Sequence, residues 1–460
     1  MMQPPIEPME PAGSTATRSA REDGQEQPSY GFPVGLWRAL EGRRPPGLPD
    51  ARVWRSPLRG PWLTSVFGAI LLVSLPVVII TGLLDYIAYG PQFGQAIPVD
   101  VGWLQLPTFN WPTRPSWLFA VTQGAHVLLG LVLVPVVLAK LWSVVPRLFS
   151  WPASRSIAQL LERLSLLMLV GGILFEIATG LLNIQYDYIF GFSFYAAHYF
   201  GAWVFIGGFV AHVIIKLPTL LTSLRSRSLR AELRTSTAQT EPEPADPDSL
   251  VAVEPGPATI SRRGVLGLVG AGSGLVAVLS VGQLTGGFLR PLALLLPRGR
   301  SYGDGPTDFQ VNRTAESAAI DVHKTGASWR LALSGGDSPA SLDREMLLAM
   351  PQHTAVLPIA CVEGWSTTQT WTGVRLADLA ALAGMDGVAS ATVSSLQQGG
   401  FFNVATIQGN QVLDPDALLA LRVNGADLSL DHGFPARVIV PALPGVHNTK
   451  WVRAIEFRSH

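Results

Sequence analysis

Five long apolar segments constrain the fold of this chain more than any other feature. Each has roughly the 20 residues that an α-helix needs to cross a bilayer. They cover about residues 62–84, 117–142, 160–184, 196–221 and 264–284. Only 14% of the residues are charged and 48% are hydrophobic, a balance too apolar for an ordinary soluble protein. The sequence therefore predicts a multi-pass protein of the cell membrane, embedded in the lipid bilayer.

Basic residues mark one side of these segments, and cytoplasmic loops are the ones that collect Lys and Arg. The basic clusters are Arg52, Arg55 and Arg59 before the first segment; Lys140, Arg147 and Arg155 before the third; and Arg225, Arg227, Arg230 and Arg234 after the fourth. The loops at 85–116 and 185–195 carry one basic residue, Arg114. We therefore expect a cytoplasmic N-terminus and an extracytoplasmic C-terminal domain. The formal net charge is zero, so nucleic acid is not an expected partner.

The composition changes along the chain and predicts a multi-domain protein. Residues near the N-terminus and between the fourth and fifth segments are rich in Pro, Gly, Ser and Glu, and such segments bury too little apolar surface to offset the entropy of ordering. After the fifth segment, short alternating runs such as 329–333 and 436–440 predict strands, and 376–382 predicts a short helix. The predicted parts are a disordered cytoplasmic tail (1–55), a four-helix transmembrane module (56–225), a cytoplasmic linker (226–258), an export signal with a fifth transmembrane helix (259–300) and an extracytoplasmic domain (301–460). The expected fold class is an all-α transmembrane bundle followed by an α+β domain.

Histidines lie inside two of the apolar segments, where ionisable side chains are costly and therefore functional candidates. His126, His198 and His212 are candidate ligands of a haem iron, and Glu176 is a candidate for quinol or proton chemistry. Two imidazoles that hold a haem b must lie at similar depth, and His126 with His198 is the closer match. The alternatives are hydrogen-bonded histidines and a structural Glu that pack a helical bundle.

A weak internal repeat links the first and third segments. Residues 81–86 read TGLLDY and residues 179–184 read TGLLNI. Either a duplicated two-helix unit or chance similarity between apolar stretches explains the match.

Residues 261–267, SRRGVLG, precede the fifth segment. This run resembles a twin-arginine translocation signal, which implies the twin-arginine translocase as a partner during export. The alternative is that Arg262 and Arg263 only mark the cytoplasmic end of a helix.

Cys361 is the one cysteine of the chain, so it cannot form an intramolecular disulfide. A thiolate is a strong ligand for soft metals, whereas an isolated cysteine is more often a small buried hydrophobe. Cys361 lies in the run 361–366 (CVEGWS). Four other runs of the same region are considered with it: 308–313 (DFQVNR), 371–376 (WTGVRL), 432–441 (HGFPARVIVP) and 448–452 (NTKWV).

Together these runs resemble the sulfite oxidase family of molybdopterin enzymes, over the region from residue 308 to the end. The resemblance implies that Cys361 is the catalytic ligand of molybdenum. It also implies a cofactor-binding role for Asn312, Arg313, Ser395, His432, Arg437, Asn448 and Lys450. A cluster of arginines matching a sulfite pocket is not evident, which favours the bacterial periplasmic branch of the family.

The four-helix part is similar, in part, to a cytochrome b561-like module, so we predict a membrane-bound molybdopterin-dependent oxidoreductase. Oxygen-atom transfer on a sulfoxide-like or sulfite-like substrate would exchange electrons through a membrane haem b with the quinone pool or with an external redox partner. The alternative is a membrane-tethered binding or assembly protein that holds no metal. The substrate is left open, because it depends on loops such as 397–403.

Overall fold

The computed structural model describes residues 53–90, 108–149, 157–184, 194–245, 250–295, 302–399 and 403–459. The predicted tail lies almost wholly outside these residues, as do most of the two outer loops and the centre of the 397–403 loop. All described residues belong to one compact unit.

Seven α-helices form the first half of the described chain: α1 (Pro61–Ala88), α2 (Leu118–Val132), α3 (Val134–Leu148), α4 (Ile157–Asn183), α5 (Phe194–Ser226), the short α6 (Leu229–Glu232) and α7 (Arg262–Thr285). Within the described residues, α1, α4, α5 and α7 are each long and apolar enough to cross a membrane, and α2 with α3 makes a fifth if the pair counts as one span. Helices were therefore predicted in the right places, and the membrane crossing itself rests on their length and composition.

The second predicted segment, 117–142, is two helices rather than one. The axes of α2 and α3 meet at 40°, and Pro135 stands in the first turn of α3. Proline has no N–H to donate, and its ring clashes with the carbonyl four residues earlier. The helix therefore breaks at Leu133.

The predicted linker packs against the helices, and it was wrong to group it with the disordered tail. The Glu243 Oε2 atom accepts a hydrogen bond from the Trp62 backbone N–H at 2.9 Å, in the first turn of α1. Arg262 is buried, with an ion pair to Glu232 at 3.3 Å and a hydrogen bond to the Glu241 carbonyl at 2.8 Å. Arg262 thus has a structural role, and the export signal stays a prediction.

The second half is a sheet domain with short helices, as the α+β prediction requires. Its strands are β1 (Leu331–Ser334), β2 (Ala340–Leu342), β3 (His353–Ala360), β4 (Ser366–Arg375), β5 (Ser390–Ser395), β6 (Val404–Gln408), β7 (Leu418–Val423), β8 (Ala426–Asp427), β9 (Arg437–Ile439) and β10 (Val452–Arg458). Its helices are α8 (Arg344–Ala349), α9 (Leu376–Leu382) and α10 (Gly409–Val412). One sheet has the order β2-β1-β10-β5-β6, and the other has β3-β4-β7-β8 with β9 on β7. Only β1 and β10 pair in parallel among the described strands.

The sheet domain and the helices share one hydrophobic core. Tyr89, Trp111 and Phe119 from the helical half belong to the same buried cluster as Ala360 and Leu443 from the sheet domain. Hydrogen bonds reinforce this contact: Trp111 Nε1 donates to the Ala442 carbonyl at 2.8 Å, and the Ala442 N–H donates to the Ser116 carbonyl at 3.1 Å. The turn after β3, which carries Cys361, therefore faces the helices.

Candidate active site

Cys361 lies in the tight turn between β3 and β4. Its N–H donates to the Trp365 carbonyl at 3.0 Å, and its own carbonyl accepts from the Gly364 N–H at 2.9 Å. Gly364 has a φ of +84°, and a Cβ there would lie 2.8 Å from the Val127 side chain of α2. Only glycine tolerates both the positive φ and the close approach, so this turn can lie directly on α2. The Cys361 side chain is buried.

Arg437 is buried and lies close enough to Cys361 to interact with it electrostatically. Its Nε donates to the Asn448 carbonyl at 3.2 Å and its Nη1 to the His432 carbonyl at 3.4 Å. No carboxylate among the described residues forms a salt bridge with it. A buried guanidinium needs a negative partner, and a thiolate or an anionic cofactor at this place would supply one.

Lys450 contacts two other predicted cofactor residues, Arg313 and Ser395. Its Nζ donates to the Arg313 carbonyl at 2.8 Å and to the Asp431 carbonyl at 2.7 Å. The Ser395 hydroxyl donates to the Lys450 carbonyl at 2.7 Å. The Arg313 side chain is exposed and donates to the Ser317 carbonyl, while its neighbour Asn312 is half-buried. The structure therefore brings these residues together, through backbone atoms in the case of Arg313.

Buried polar atoms without a partner show where a polar ligand would bind. In the described part of the chain, both amide atoms of Gln310, Nδ1 of His432 and Nδ2 of Asn448 are buried and form no hydrogen bond. These groups belong to neighbouring residues. The His432 ring stacks on Phe309, which precedes Gln310 in the chain, with ring centroids 3.7 Å apart. Arg437 donates to the backbone carbonyls of both Asn448 and His432. Buried polar groups in folded proteins are nearly always satisfied. The cluster therefore fits a cofactor that offers both donors and acceptors, as a pterin does.

The pKa values at this site follow from burial. Burial lowers the pKa of His432 to about 3, and the charges of Arg437 and Lys450 act in the same direction. The imidazole is therefore neutral at physiological pH, and its Nε2–H donates to the Thr307 carbonyl at 2.9 Å. Burial also lowers the pKa of Arg437 to about 9, and the nearby Cys361 opposes this shift.

In the helical half, His126 and His198 face each other across a cavity of about 210 Å³, the histidine cavity. Their ring centroids are 6.0 Å apart and the rings are nearly perpendicular, at 88°. His126 Nδ1 bonds the Val78 carbonyl at 2.9 Å, and His198 Nδ1 pairs with Glu176 at 3.0 Å. Metal-bound histidines usually donate their second nitrogen in this way, so Nε2 of each ring is the atom that would hold a haem iron.

The internal repeat surrounds these two rings. Thr81 Oγ1 lies 3.5 Å from His126 Nδ1, and Thr179 Oγ1 lies 3.0 Å from His198 Nδ1. A Cβ on Gly82 would lie 2.7 Å from His126 Cε1, and one on Gly180 would lie 3.4 Å from His198 Cε1. Each Thr-Gly pair thus holds and makes room for one histidine, which favours duplication over chance. His212 lies apart from them, in a second cavity with Lys140 and Lys216.

Three residues at this site were missed in the sequence. The Gln123 amide, one turn before His126, donates to the Val362 carbonyl at 2.8 Å, directly beside Cys361. The buried hydroxyl of Tyr89 forms no hydrogen bond with any described residue, and it lies close enough to Cys361 and Glu363 to interact with their charges. Gln310 is the third. For Gln123 and Tyr89, the sequence signal is a polar side chain near the end of an apolar segment.

The fold and the site define a molybdopterin-type oxidoreductase domain joined to apolar helices, and comparisons with known proteins agree. Residues 318–460 match the model of the oxidoreductase molybdopterin binding domain. The uncharacterized oxidoreductase YuiH of Bacillus subtilis is 32% identical over 153 residues, which cover 33% of this chain and 74% of that protein.

Two longer enzymes match over smaller parts. Mouse mitochondrial sulfite oxidase is 32% identical over 168 residues, covering 30% of each chain. A barley nitrate reductase is 37% identical over 101 residues, covering 20% of this chain and 11% of that enzyme. The chain thus spans less than a third of either enzyme.

This chain belongs to the oxidoreductase molybdopterin-binding family and is a molybdopterin-dependent oxidoreductase similar to sulfite oxidase. The groups around Cys361 fit such a cofactor, since they combine a soft thiol ligand, a buried guanidinium and unpaired donors and acceptors.

Proposed function

We propose that the chain is a membrane-bound oxidoreductase that transfers an oxygen atom at a molybdenum site on Cys361 and exchanges electrons through a haem b between His126 and His198. One observation carries this proposal: Gln123, on the helix that bears His126, donates to the carbonyl next to Cys361. Val362 also lines the histidine cavity. The two sites therefore share a wall.

The chain's own residues prepare each site. Cys361 supplies the thiolate, Arg437 balances its charge, and the orphaned groups of Gln310, His432 and Asn448 would orient the pterin and its phosphate. Arg313, Asn312, Ser395 and Lys450 would enclose it. When bound, the molybdenum–pterin group supplies two-electron oxygen-atom exchange.

A sulfoxide is the substrate class that we favour. Arg437 is the buried cation that the structure places within charge range of Cys361, and two backbone carbonyls already fix it, whereas a sulfite anion calls for several cations. Reduction of a sulfoxide breaks the S–O bond, consumes two electrons and two protons, and releases a thioether and water. The quinone pool would supply the electrons by way of the haem, with an external redox partner as the alternative source.

Metal analysis and optical spectra test the proposal. The full chain, purified after expression with intact cofactor synthesis and export through the twin-arginine translocase, should contain one molybdenum atom per chain and show b-type bands in a reduced-minus-oxidised spectrum. Protein without molybdenum would instead be a membrane-tethered binding or assembly protein. Protein with molybdenum but without b-type bands would exclude only the haem.

A further inference from the structure

The chain turns back on itself directly after α7. Gly286 ends the helix with a φ of +64°, which glycine adopts without strain. Residues Gly287–Leu292 then form a short 3-10 helix, and the Leu295 N–H donates to the Leu279 carbonyl of α7 at 3.2 Å. Residues 286–295, which we call the return segment, therefore run back alongside the last turns of α7.

A glycine of α7 lets the return segment pack directly on the helix. A Cβ on Gly282 would clash with the Leu289 carbonyl oxygen, so a larger residue would force the two apart. The backbone N–H groups of Gly286, Ala293 and Leu294 all donate to carbonyls of α7 or of the return segment. Main-chain donors that are bonded in this way can lie in an apolar medium, where water supplies no partner.

The return segment lies at the depth of the helical bundle. Leu284, near the end of α7, meets α2 at Gly124, where an added Cβ would lie 3.0 Å from Leu284 Cδ2. Gly124 is six residues inside α2, which begins at Leu118 on the side of the sheet domain, so the end of α7 is about 9 Å below that end of α2. From there the return segment runs deeper, to the level of Leu279. In a bilayer crossed by α7, this depth is within the outer leaflet.

The outward face of the return segment is strongly apolar. Phe288 is 87% exposed, and Leu292, Leu294 and Leu295 are exposed as well. The charged residue of the segment, Arg290, lies with its guanidinium 5.1 Å from the centre of the Tyr302 ring. Neighbouring exposed apolar side chains mark a contact surface, and arginine and aromatic side chains are typical of the boundary between lipid and water.

We infer that the return segment is inserted in the outer leaflet of the bilayer, with Phe288 and its exposed leucines against lipid. The inference rests on the membrane location in the proposed function, but not on molybdenum or haem. Ser366, the first residue of β4 after the cysteine turn, donates from its Oγ to the Leu284 carbonyl at 2.9 Å. The inserted segment would therefore fix the height of the cysteine turn above the lipid.

Spin labels on single introduced cysteines test the inference, because the native Cys361 is buried. The full chain in phosphatidylcholine vesicles would carry a label at Phe288→Cys or at Leu294→Cys, and the unsubstituted chain would supply the background. Each label's access to oxygen, which concentrates in lipid, would be compared with its access to a water-soluble nickel chelate. Leu275→Cys on α7 is the reference for lipid and Val356→Cys on β3 the reference for water, since these side chains are similarly exposed, at 59% and 64%. Both labels in the return segment should favour oxygen as Leu275→Cys does, and Val356→Cys should favour the chelate.

Two glycine variants test the packing that holds the segment in place. Gly282→Ala pushes the return segment off α7 and frees the Leu295 N–H, so a label at Leu294→Cys should shift towards the chelate. Gly274→Ala is the matched control on the same helix, because an added Cβ there meets no atom within 4 Å. Equal shifts in the two variants would contradict the packing of the segment on α7.

Labels in the return segment that favour the chelate would overturn the inference. Labels that reach neither reagent would also overturn it, since another protein surface, such as a second copy of the chain, would then cover the face. If Leu275→Cys favoured the chelate as well, α7 would lie in water, and the membrane location in the proposed function would fail too. Lipid exposure at Leu275→Cys together with water exposure at Phe288→Cys and Leu294→Cys would overturn this inference alone.

Discussion

Gln310 shows, at the scale of single residues, how a binding site can cost stability. Both of its amide atoms are buried and find no hydrogen-bond partner among the described residues, which is expected to destabilise the cofactor-free protein by about 1–3 kcal/mol. Gln310→Leu should therefore raise the melting temperature of protein made without molybdopterin synthesis, and lower the molybdenum content of protein made with it. Gln352→Leu is the control, since this amide is bonded to two backbone carbonyls away from the site. A Gln310→Leu variant that melts earlier and keeps its molybdenum would show that the amide is structural.

His447 gives the protein a dependence on pH. Burial lowers its pKa to about 4, against roughly 6.5 for an unfolded histidine. Its contribution to stability is therefore complete above pH ~6.5 and is lost as the pH falls towards the folded value, at about 1.4 kcal/mol per pH unit.

His447→Gln removes this titration and keeps an N–H for the Tyr89 carbonyl, which His447 Nε2 contacts at 2.9 Å. Between pH 7 and pH 4.5, its free energy of unfolding should fall less steeply than that of the wild type. The difference in slope should correspond to one bound proton, about 1.4 kcal/mol per pH unit. The exposed His323→Gln should follow the wild type. Equal slopes for wild type and His447→Gln would refute the assignment.

Sequence reasoning at this scale depended on what a residue's neighbours in the chain reveal. Cys361, His432 and Arg437 lie in recognisable runs and could be named in advance. Gln310 and Tyr89 could not, because a missing hydrogen-bond partner is a property of the folded chain alone.

At the scale of helix pairs, the repeated Thr-Gly pairs predict that two similar glycine variants differ in their effect on haem binding. Gly82→Ala places a methyl group 2.7 Å from the His126 ring, whereas Gly180→Ala places one 3.4 Å from the His198 ring. The first variant must displace its histidine, while the second stays near ordinary contact. The b-type absorbance per chain should therefore be lost in Gly82→Ala and largely kept in Gly180→Ala. The opposite order would mean that these glycines do not make room for a haem.

The first turn of α1 depends on a side chain far along the sequence. The Glu243 carboxylate accepts a hydrogen bond from the Trp62 N–H. It also fills the space beside Gly60, where an added Cβ would clash with the Glu243 carboxyl group. Glu243→Ala should lower the free energy of unfolding by about 1 kcal/mol, the usual effect of losing an N-terminal cap. Glu243→Gln keeps an acceptor and should lose less, when both are compared by thermal unfolding in detergent. Equal losses would assign the effect to packing.

Helix positions were predictable because long apolar runs have few alternatives, and the predicted ends fall within a few residues of α1, α4, α5 and α7. The break at Pro135 was visible in the sequence but was not used. The folded state of the linker was not visible, because Glu243 and Glu232 acquire partners only when distant helices meet.

At the largest scale, the described residues form one compact unit in which the sheet domain lies on the helix ends. Its interface includes Arg114, which pairs with Asp414 at 3.4 Å and also with Asp416. Gln123 stands at the centre, between the cysteine turn and the histidine cavity. The composition predicted two halves with separate functions, but it gave no sign that they share a core. That contact is what makes a single path for electrons physically reasonable.

The most direct test of that path is the response of the b-type absorbance to substrate. The full chain would be reduced with dithionite and mixed without oxygen with methyl sulfoxide substrates, in the wild type and in Cys361→Ser. Our account predicts rapid reoxidation of the b-type band in the wild type. In Cys361→Ser the band should persist and reoxidise at least ~100-fold more slowly, since loss of a ligand should exceed the 10–100-fold effect of losing an outer-shell partner. Reoxidation of Cys361→Ser at the wild-type rate would contradict the account.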